Sequence, residues 1–520
     1  MDDSVQPMYL ATVFFYLASI LVLYIITKHY LHKIQNLPPC PYPSLPIIGH
    51  LYLLKKPLHR TLSKISKRHG PILFFRFGSR PVLVISSPAF AEECLTKNDI
   101  IFANRPQLLA GKHLGYNYSA LTWAPYGDHW RNLRRISSLQ ILSPHRLQML
   151  SGSRVEEIKT MLSKLADKPN QTVDMRNLFF ELTINSMMRM IAGKRYYGEN
   201  LSDLEEAKRF QKIIAETVRL GGKMFIRDFL PCMGWIELGA KEEELRELQK
   251  GRDGFMQGLI DENRRRRRRK RIGSGCSSSS GEKKTMIEVL LSLQEQEPEY
   301  YTDEIIRGLV LILLIGATET SINTLEWALS LLLDHSEVIK KAQIEIDKQV
   351  GHGRLLQESD IAQLSCLCNI IKETLRMHPP LPLAVPHESS TECTVGGFHI
   401  PRGTMLLVNL WSIQNDPNTW VDPAKFNPER FEGLEEPRDG FKFLPFSSGR
   451  RGCPGEGLAM RTVGLTLGSL LQCFEWERIS EEMVDMSEEV GATLSKAHSL
   501  HAKCRARPAM GSLLSQIRTN

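Results

Sequence analysis

Cysteine is scarce in this chain. Ten are spread over 520 residues, at positions 40, 94, 232, 276, 366, 368, 393, 453, 473 and 504. That is too sparse for a disulfide scaffold. It also offers no zinc knuckle, because Cys366 and Cys368 stand one residue closer than C-x-x-C requires. Most of these residues read as free, buried thiols in a reducing compartment. No Walker or G-x-G-x-x-G loop occurs, so the chain shows no nucleotide-binding signature of its own. No internal repeat is present, which sets aside repeat architectures. A distributed basic charge is missing too. The formal net charge is +8, but Arg264–Arg271 is eight consecutive basic residues, and the remainder is balanced.

Charge is also absent from Met8 to Thr27, an apolar run about as long as a bilayer-spanning helix needs. Asp2 and Asp3 precede it; Lys28, His29, His32 and Lys33 follow it. The positive flank favours a retained anchor with the following chain on the cytosolic side. The acidic start, the length of the run and the lack of a small-x-small cleavage site argue against a removed signal peptide. Next comes L-P-P-C-P-Y-P-S-L-P, residues 37–46, which cannot be helical and reads as a stiff extended spacer.

With 42% apolar residues the body can bury a large core. Ile72–Phe77 and Pro81–Ser86, around Gly78-Ser79, read as a hairpin, and Thr394–Asn409 as a second β patch. Helical periodicity covers 129–149, 154–166, 176–193, 203–220, 241–262, 303–333, 337–350 and 359–378. The expected fold class is mainly α with small β-sheets. Residues 264–284, an arginine run followed by Ser and Gly, are expected to form a disordered basic loop. A nucleic-acid role is not expected: the run has no interleaved aromatics and a membrane anchor conflicts with it.

One cysteine stands apart. Cys453 lies in F-S-S-G-R-R-G-C-P-G-E-G, residues 446–457. Three glycines let backbone N–H groups approach the sulfur, and a helix is expected from Gly457 to Leu471, which favours a thiolate at its start. On these grounds Cys453 could be inert, half of a disulfide, a nucleophile or a metal ligand. The pattern F-x-x-G-x-R-x-C-x-G, met by Phe446, Gly449, Arg451, Cys453 and Gly455, resembles the haem-ligand signature of cytochrome P450s.

Other stretches extend the resemblance in the expected order. E-T-L-R at 373–376 is similar to the family's E-x-x-R, and P-E-R-F at 428–431 supplies Arg430. The resemblance implies a structural Glu373–Arg376–Arg430 cluster that fixes the cysteine loop. Trp130-x-x-x-Arg134 is similar to the family's W-x-x-x-R helix, and implies that Arg134, with Arg451 and His387, faces the haem propionates. I-G-A-T-E-T-S at 315–321 is similar to (A/G)-G-x-(D/E)-T-(T/S). Gly316 would leave room for dioxygen, Thr320 supply a hydroxyl and Glu319 an acid near a proton path, all on one helix face. The chain departs at Ala317, where glycine is usual, and at Asn415, where many relatives carry arginine before Asp-Pro.

The resemblance spans the chain and is nearest to plant microsomal members, the isoflavone hydroxylase and methylenedioxy-bridge-forming group. It implies a membrane anchor at 1–33, a proline-rich hinge at 34–47 and a P450 haem domain at 48–520. It implies haem b with Cys453 as axial thiolate. Electrons from NADPH would arrive through a separate cytochrome P450 reductase, with cytochrome b5 as a second candidate donor. Lys442, Arg450 and Arg135 are candidates to meet that partner. The location implied is the endoplasmic reticulum membrane, with the haem domain facing the cytosol. The expected activity is insertion of one oxygen atom of O2 into a lipophilic small molecule. The alternatives are an oxygen-independent haem-thiolate rearrangement or dehydration, and a non-catalytic anchored binding protein. Substrate-contact segments carried over by position are Arg105–Leu121, Leu220–Phe225, Leu313–Ala317, Leu381–Val385 and Gly491–Leu494.

Overall fold

The computed structural model describes residues 5–198, 204–231, 240–273, 284–433 and 439–519. Helix α1, Val5–Ile34, is apolar on every side. Its span Tyr9–Ile34 has mean hydropathy 2.3 and none of it is buried, so only a lipid or a partner could shield it. Residues 1–4 of the expected anchor flank lie outside the described residues.

The body is built on helices α2 (Leu58–His69), α3 (Asp128–Arg135), α4 (Met175–Ala192), α5 (Ala240–Gly273), α6 (Asp303–Leu333), α7 (Ser365–Met377) and α8 (Glu456–Cys473). The axis of the core is α6. Thr302 caps it, its Oγ1 accepting from Ile305 N at 3.4 Å, and Asp303 and Glu304 complement its first turn. This helix is also long and apolar enough to cross a bilayer, but its C-terminal half is enclosed by α4, α7 and α8, so it is a core helix. Asp174 caps α4 and Gly193, at φ 67°, ends it in the left-handed region.

Among the described residues nine strands form three small sheets. β1 (Ile72–Phe77) and β2 (Arg80–Ile85) make the expected hairpin, with Ile72 opposite Ile85. β2 runs parallel to β7 (Met405–Val408), and β7 pairs with β4 (His387–Glu388), giving the order β1-β2-β7-β4. β3 (Thr172–Asp174), β9 (His501–Ala506) and β8 (Phe474–Arg478) form the second sheet in that order. β5 (Cys393–Val395) and β6 (Phe398–Ile400) form a lone hairpin. The mainly helical fold with small sheets is thus the one expected.

Three local expectations are corrected. The stretch 129–149 is one periodic segment in sequence but folds as α3, a π-helical turn Ile136–Ile141 and the helix Pro144–Met149, restarted by the Ser143 cap and Pro144. The arginine run is not a loop: α5 continues through it to Gly273. Its like charges find acids far away in sequence, Arg264 pairing with Asp303 and Arg267 with Glu295 at 3.2 Å. The rest of the expected basic/Ser loop, 274–283, lies outside the described residues. The proline-rich segment is extended but docked rather than free. Phe74 N donates to Pro39 O at 3.0 Å, and Tyr52 Oη donates to Pro43 O at 2.8 Å.

Candidate active site

The Cys453 loop is shaped by its glycines. Gly449 sits at φ 70°, and a Cβ there would lie 2.5 Å from Leu95 O, so no larger residue fits. Asp99, from the facing segment, accepts from Arg450 N at 3.2 Å, and Cys453 N donates to Phe446 O at 2.9 Å, which closes the turn. The sulfur is left with a donor of its own: Gly455 N lies 3.3 Å from Cys453 Sγ, just before α8 begins. Burial pushes the Cys453 thiol up; the Gly455 amide and the Arg134 guanidinium oppose that shift and favour the anion.

Cys453 opens onto a cavity of about 350 Å³. Helix α6 forms part of the wall, presenting Leu313, Gly316, Ala317 and Thr320. A Cβ on Gly316 would touch nothing within 4 Å, so its absence keeps that wall set back. Thr320 Oγ1 donates to Gly316 O at 2.6 Å, which holds the hydroxyl at the edge of this recess. Glu319 does not share the wall. Its Oε1 accepts from Ser495 Oγ at 3.4 Å and Asn323 Nδ2 at 3.5 Å, on the flank of α6. Burial holds its carboxyl above the usual range. Gly316, Glu319 and Thr320 keep the expected i, i+3, i+4 spacing on α6, but only Gly316 and Thr320 line the cavity, and the acid stands beside it.

Three arginines surround one side of the cavity. Arg451 donates to the carbonyls of Ala103, Leu121 and Ala124 and lies over the Trp130 ring, 4.3 Å from its centroid. Arg134 donates to Gly452 O at 2.6 Å. Arg105 donates to Thr122, Val385 and Pro386 carbonyls. Burial depresses all three guanidinium groups, Arg451 to about 10, and among the described residues no carboxylate pairs with any of them. Trp130 Nε1 donates to Leu121 O, and His387 Nδ1 bonds Phe102 O at 2.8 Å, leaving Nε2 toward the cavity side. Burial, with Arg105 nearby, holds the His387 ring well below its ordinary value and so neutral.

Below this site lies the buried ion cluster. Glu373 holds Arg376 through Oε2 to Nε at 2.7 Å and Oε1 to Nη2 at 2.9 Å, and Arg430 Nε at 3.0 Å. Arg376 also donates to the carbonyls of Gln414 and Pro423. Asn415 caps the same region, its Nδ2 donating to Trp411 O at 2.9 Å. Of the basic residues considered for a partner surface, Arg450 is engaged by Asp99 at 2.5 Å and Arg135 by Asn132. Lys442 lies 6.0 Å from the Trp420 ring.

Of the expected substrate segments, Arg105, Leu121, Leu313, Leu381, Ala384 and Val385 line the cavity. Leu220–Phe225 instead packs on Leu109 and Leu114, and Gly491–Leu494 stays off the wall. Arg105 as a buried cation and Met187 of α4 as a lining residue had no role in the sequence reading. The signal for Arg105 was a lone arginine at the edge of an apolar stretch, before Pro106.

This lining fits a haem. An apolar slot closed by a thiol on one side, with uncompensated buried cations at its edge, is suited to a flat ligand bearing carboxylates and a metal that binds sulfur. Cys453 would hold the iron, and Arg105, Arg134, Arg451 and His387 would meet the carboxylates.

Comparison with known proteins gives the same assignment. The sequence profile of the cytochrome P450 family matches residues 38–502. An isoflavone 3'-hydroxylase of Medicago truncatula is 47% identical over 500 residues, covering 95% of this chain and 97% of that protein. A (+)-piperitol/(+)-sesamin synthase of Sesamum radiatum is 46% identical over 487 residues, covering 93% of each. A solved structure of a zebra fish cytochrome P450 with progesterone superposes with a TM-score of 0.75 at 25% identity, covering 87% of this chain and 100% of that one. With the profile spanning most of the chain and relatives this similar over nearly their full length, the chain belongs to the cytochrome P450 family and is a haem-thiolate monooxygenase.

Proposed function

We propose that the enzyme inserts one atom of O2 into a neutral, lipophilic plant metabolite with a phenolic body. Hydroxylation is the leading outcome and methylenedioxy-bridge formation the second. The electrons come from NADPH through a separate reductase, at the endoplasmic reticulum membrane, with the body facing the cytosol. The observation that carries this reading is that Cys453 and the Gly316–Thr320 stretch of α6 line one apolar cavity. The two relatives named above supply the substrate class.

Haem, when bound, supplies the one-electron and dioxygen chemistry that no side chain can perform. The chain supplies the rest. Cys453 would hold the iron, its sulfur supported by the Gly455 amide. Arg105, Arg134 and Arg451 would bind and orient the haem carboxylates. Leu121, Leu313, Ala317 and Val385 exclude water and hold the substrate by its apolar surface. Thr320 holds a proton donor at the recess, and Glu319 stores the proton behind it. Ala317 adds a methyl to the wall where the family often has none, narrowing the angle at which a ring can approach.

The test is turnover of a panel of isoflavones and lignans by the purified enzyme with reductase and NADPH, read by mass spectrometry. Reductase-dependent gain of one oxygen atom, or loss of two hydrogens on ring closure, is expected. In Thr320→Ala, product per NADPH should fall by roughly ten- to a hundredfold with haem content unchanged. Conversion of a fatty-acid hydroperoxide without reductase, with no oxygen insertion, would establish the rearrangement chemistry instead.

A further inference from the structure

Glu319 stores the proton in the reading above, yet its carboxyl lies off the cavity wall, and what it touches suggests how it is refilled. One residue before Thr320, it is turned by about 100° around α6 and lies against the C-terminal segment. Its Oε1 accepts from Ser495 Oγ at 3.4 Å. Ser495 is only 6% exposed, and its Oγ lies 3.2 Å from Thr493 Oγ1. Thr493 is half-buried, next to exposed Gly491 and Ala492. Two hydroxyl groups therefore lead from a half-buried carboxyl to the surface. Both are held in place by Leu494 between them, whose N donates to Pro380 O at 2.9 Å and whose O accepts from Trp327 Nε1 at 2.8 Å.

The other groups facing Glu319 cannot do this work. Arg176 of α4 has donors but no acceptor, and is engaged by Glu326 and Lys496 O. Glu489 adds only repulsion, and the Asn323 amide donates without passing a proton on. Only the hydroxyls accept and donate at once. The 3.4 Å spacing is long for O–H···O, as hydrogen bonds of catalytic groups often are before substrate binds.

We infer that Ser495 and Thr493 form a proton relay that reloads Glu319 from solvent. In each passage water gives a proton to Thr493, Thr493 gives its own to Ser495, and Ser495 gives its own to the Glu319 carboxylate. One proton leaves solvent, one arrives, and no electron moves. This inference rests on the reading of Glu319 as the acid behind Thr320.

The test compares Ser495→Ala, Ser495→Thr, Thr493→Val and Glu319→Gln in the reconstituted holoenzyme. Ser495→Ala and Thr493→Val should lower product per NADPH by roughly fivefold or more and raise the solvent deuterium isotope effect, with haem content unchanged; Ser495→Thr should restore both. A second readout needs no turnover. The infrared band of the protonated Glu319 carboxyl, identified by its loss in Glu319→Gln, should exchange with D2O more slowly in Ser495→Ala. Equal behaviour of Ser495→Ala and Ser495→Thr, or unchanged exchange, overturns the relay. If Glu319→Gln uncouples turnover while Ser495→Ala does not, the relay alone fails. If Glu319→Gln leaves coupling intact, the reading of Glu319 fails with it.

Discussion

A largely buried guanidinium that donates to carbonyl oxygens and has no carboxylate partner is an unfinished ion pair. Arg105, Arg134 and Arg451 are all of this kind, and burial works against the charge of each. Arg105→Leu is therefore expected to speed haem transfer to an excess of apo-globin by roughly ten- to a hundredfold, the worth of one charge-assisted hydrogen bond. Arg105→Lys should recover only part of the loss, because an ammonium cannot hold the Thr122, Val385 and Pro386 carbonyls and a carboxylate together. Unchanged haem release in Arg105→Leu would mean that the cation serves only those carbonyls. Much of the site was legible at this scale, because Cys453, Glu373, Arg376 and Thr320 sit in short patterns whose spacing is local. Arg105 was not, since its meaning comes from the Arg451 guanidinium and the Val385 carbonyl, both far away in sequence.

The C-terminal segment that carries Ser495 is held at its base by a clamp onto α2. Glu488, bridged to Lys496 across that segment, accepts from Arg60 and lies 3.4 Å from His59 Nε2. Burial alone would raise the Glu488 carboxyl, but His59 and Arg60 more than offset it and hold it at about 2. A carboxyl depressed on folding contributes stability that is fully present above its unfolded value and is lost as pH falls through the folded one. The clamp should therefore be intact at neutral pH and weaken between about pH 4.5 and 2. Because the Arg60 side chain is 37% exposed, its contribution is discounted to about 1–2 kcal/mol. Glu488→Gln should lower stability by that amount at pH 7 and flatten the acid limb of the stability curve; denaturant melts across pH 2–7 measure both. An unflattened limb would place the acid sensitivity elsewhere. Elements were legible where their causes are local, as in α6 with its Thr302 cap and in the β1–β2 hairpin. The continuation of α5 through eight basic residues was not, because it depends on Asp303 and Glu295. Nor was the side of α6 that Glu319 takes, since residues three and four apart share a face that can still straddle the edge of a cavity.

For the molecule as a whole, the question is how a helix bare on every side is tied to the body. The tie is short. α1 ends at Ile34, and Asn36 just beyond it takes a left-handed φ of 51°, with Leu37 N donating back to His32 O at 3.3 Å. Asn36 then bonds the β5–β6 hairpin twice: its Nδ2 donates to Gly397 O at 3.0 Å and its O accepts from His399 N at 2.9 Å. Pro39 and Pro43 fasten the next stretch along β1 and Tyr52. Membrane affinity and body stability should therefore separate at residue 35. Removing the chain through Ile34 should abolish flotation with phospholipid vesicles, while the melting temperature stays within about 2 °C, since no core residue is lost. Extending the cut through Pro46 removes the Asn36, Pro39 and Pro43 hydrogen bonds and should lower the melting temperature by several degrees, about 2–4 °C for each kcal/mol lost. Equal melting temperatures for the two truncations would show that the proline segment is a passive spacer. A large drop for the shorter cut would show that α1 itself braces the body. Between these outcomes lies the structural expectation: α1 provides attachment, and the docked proline segment transmits its orientation to the sheet.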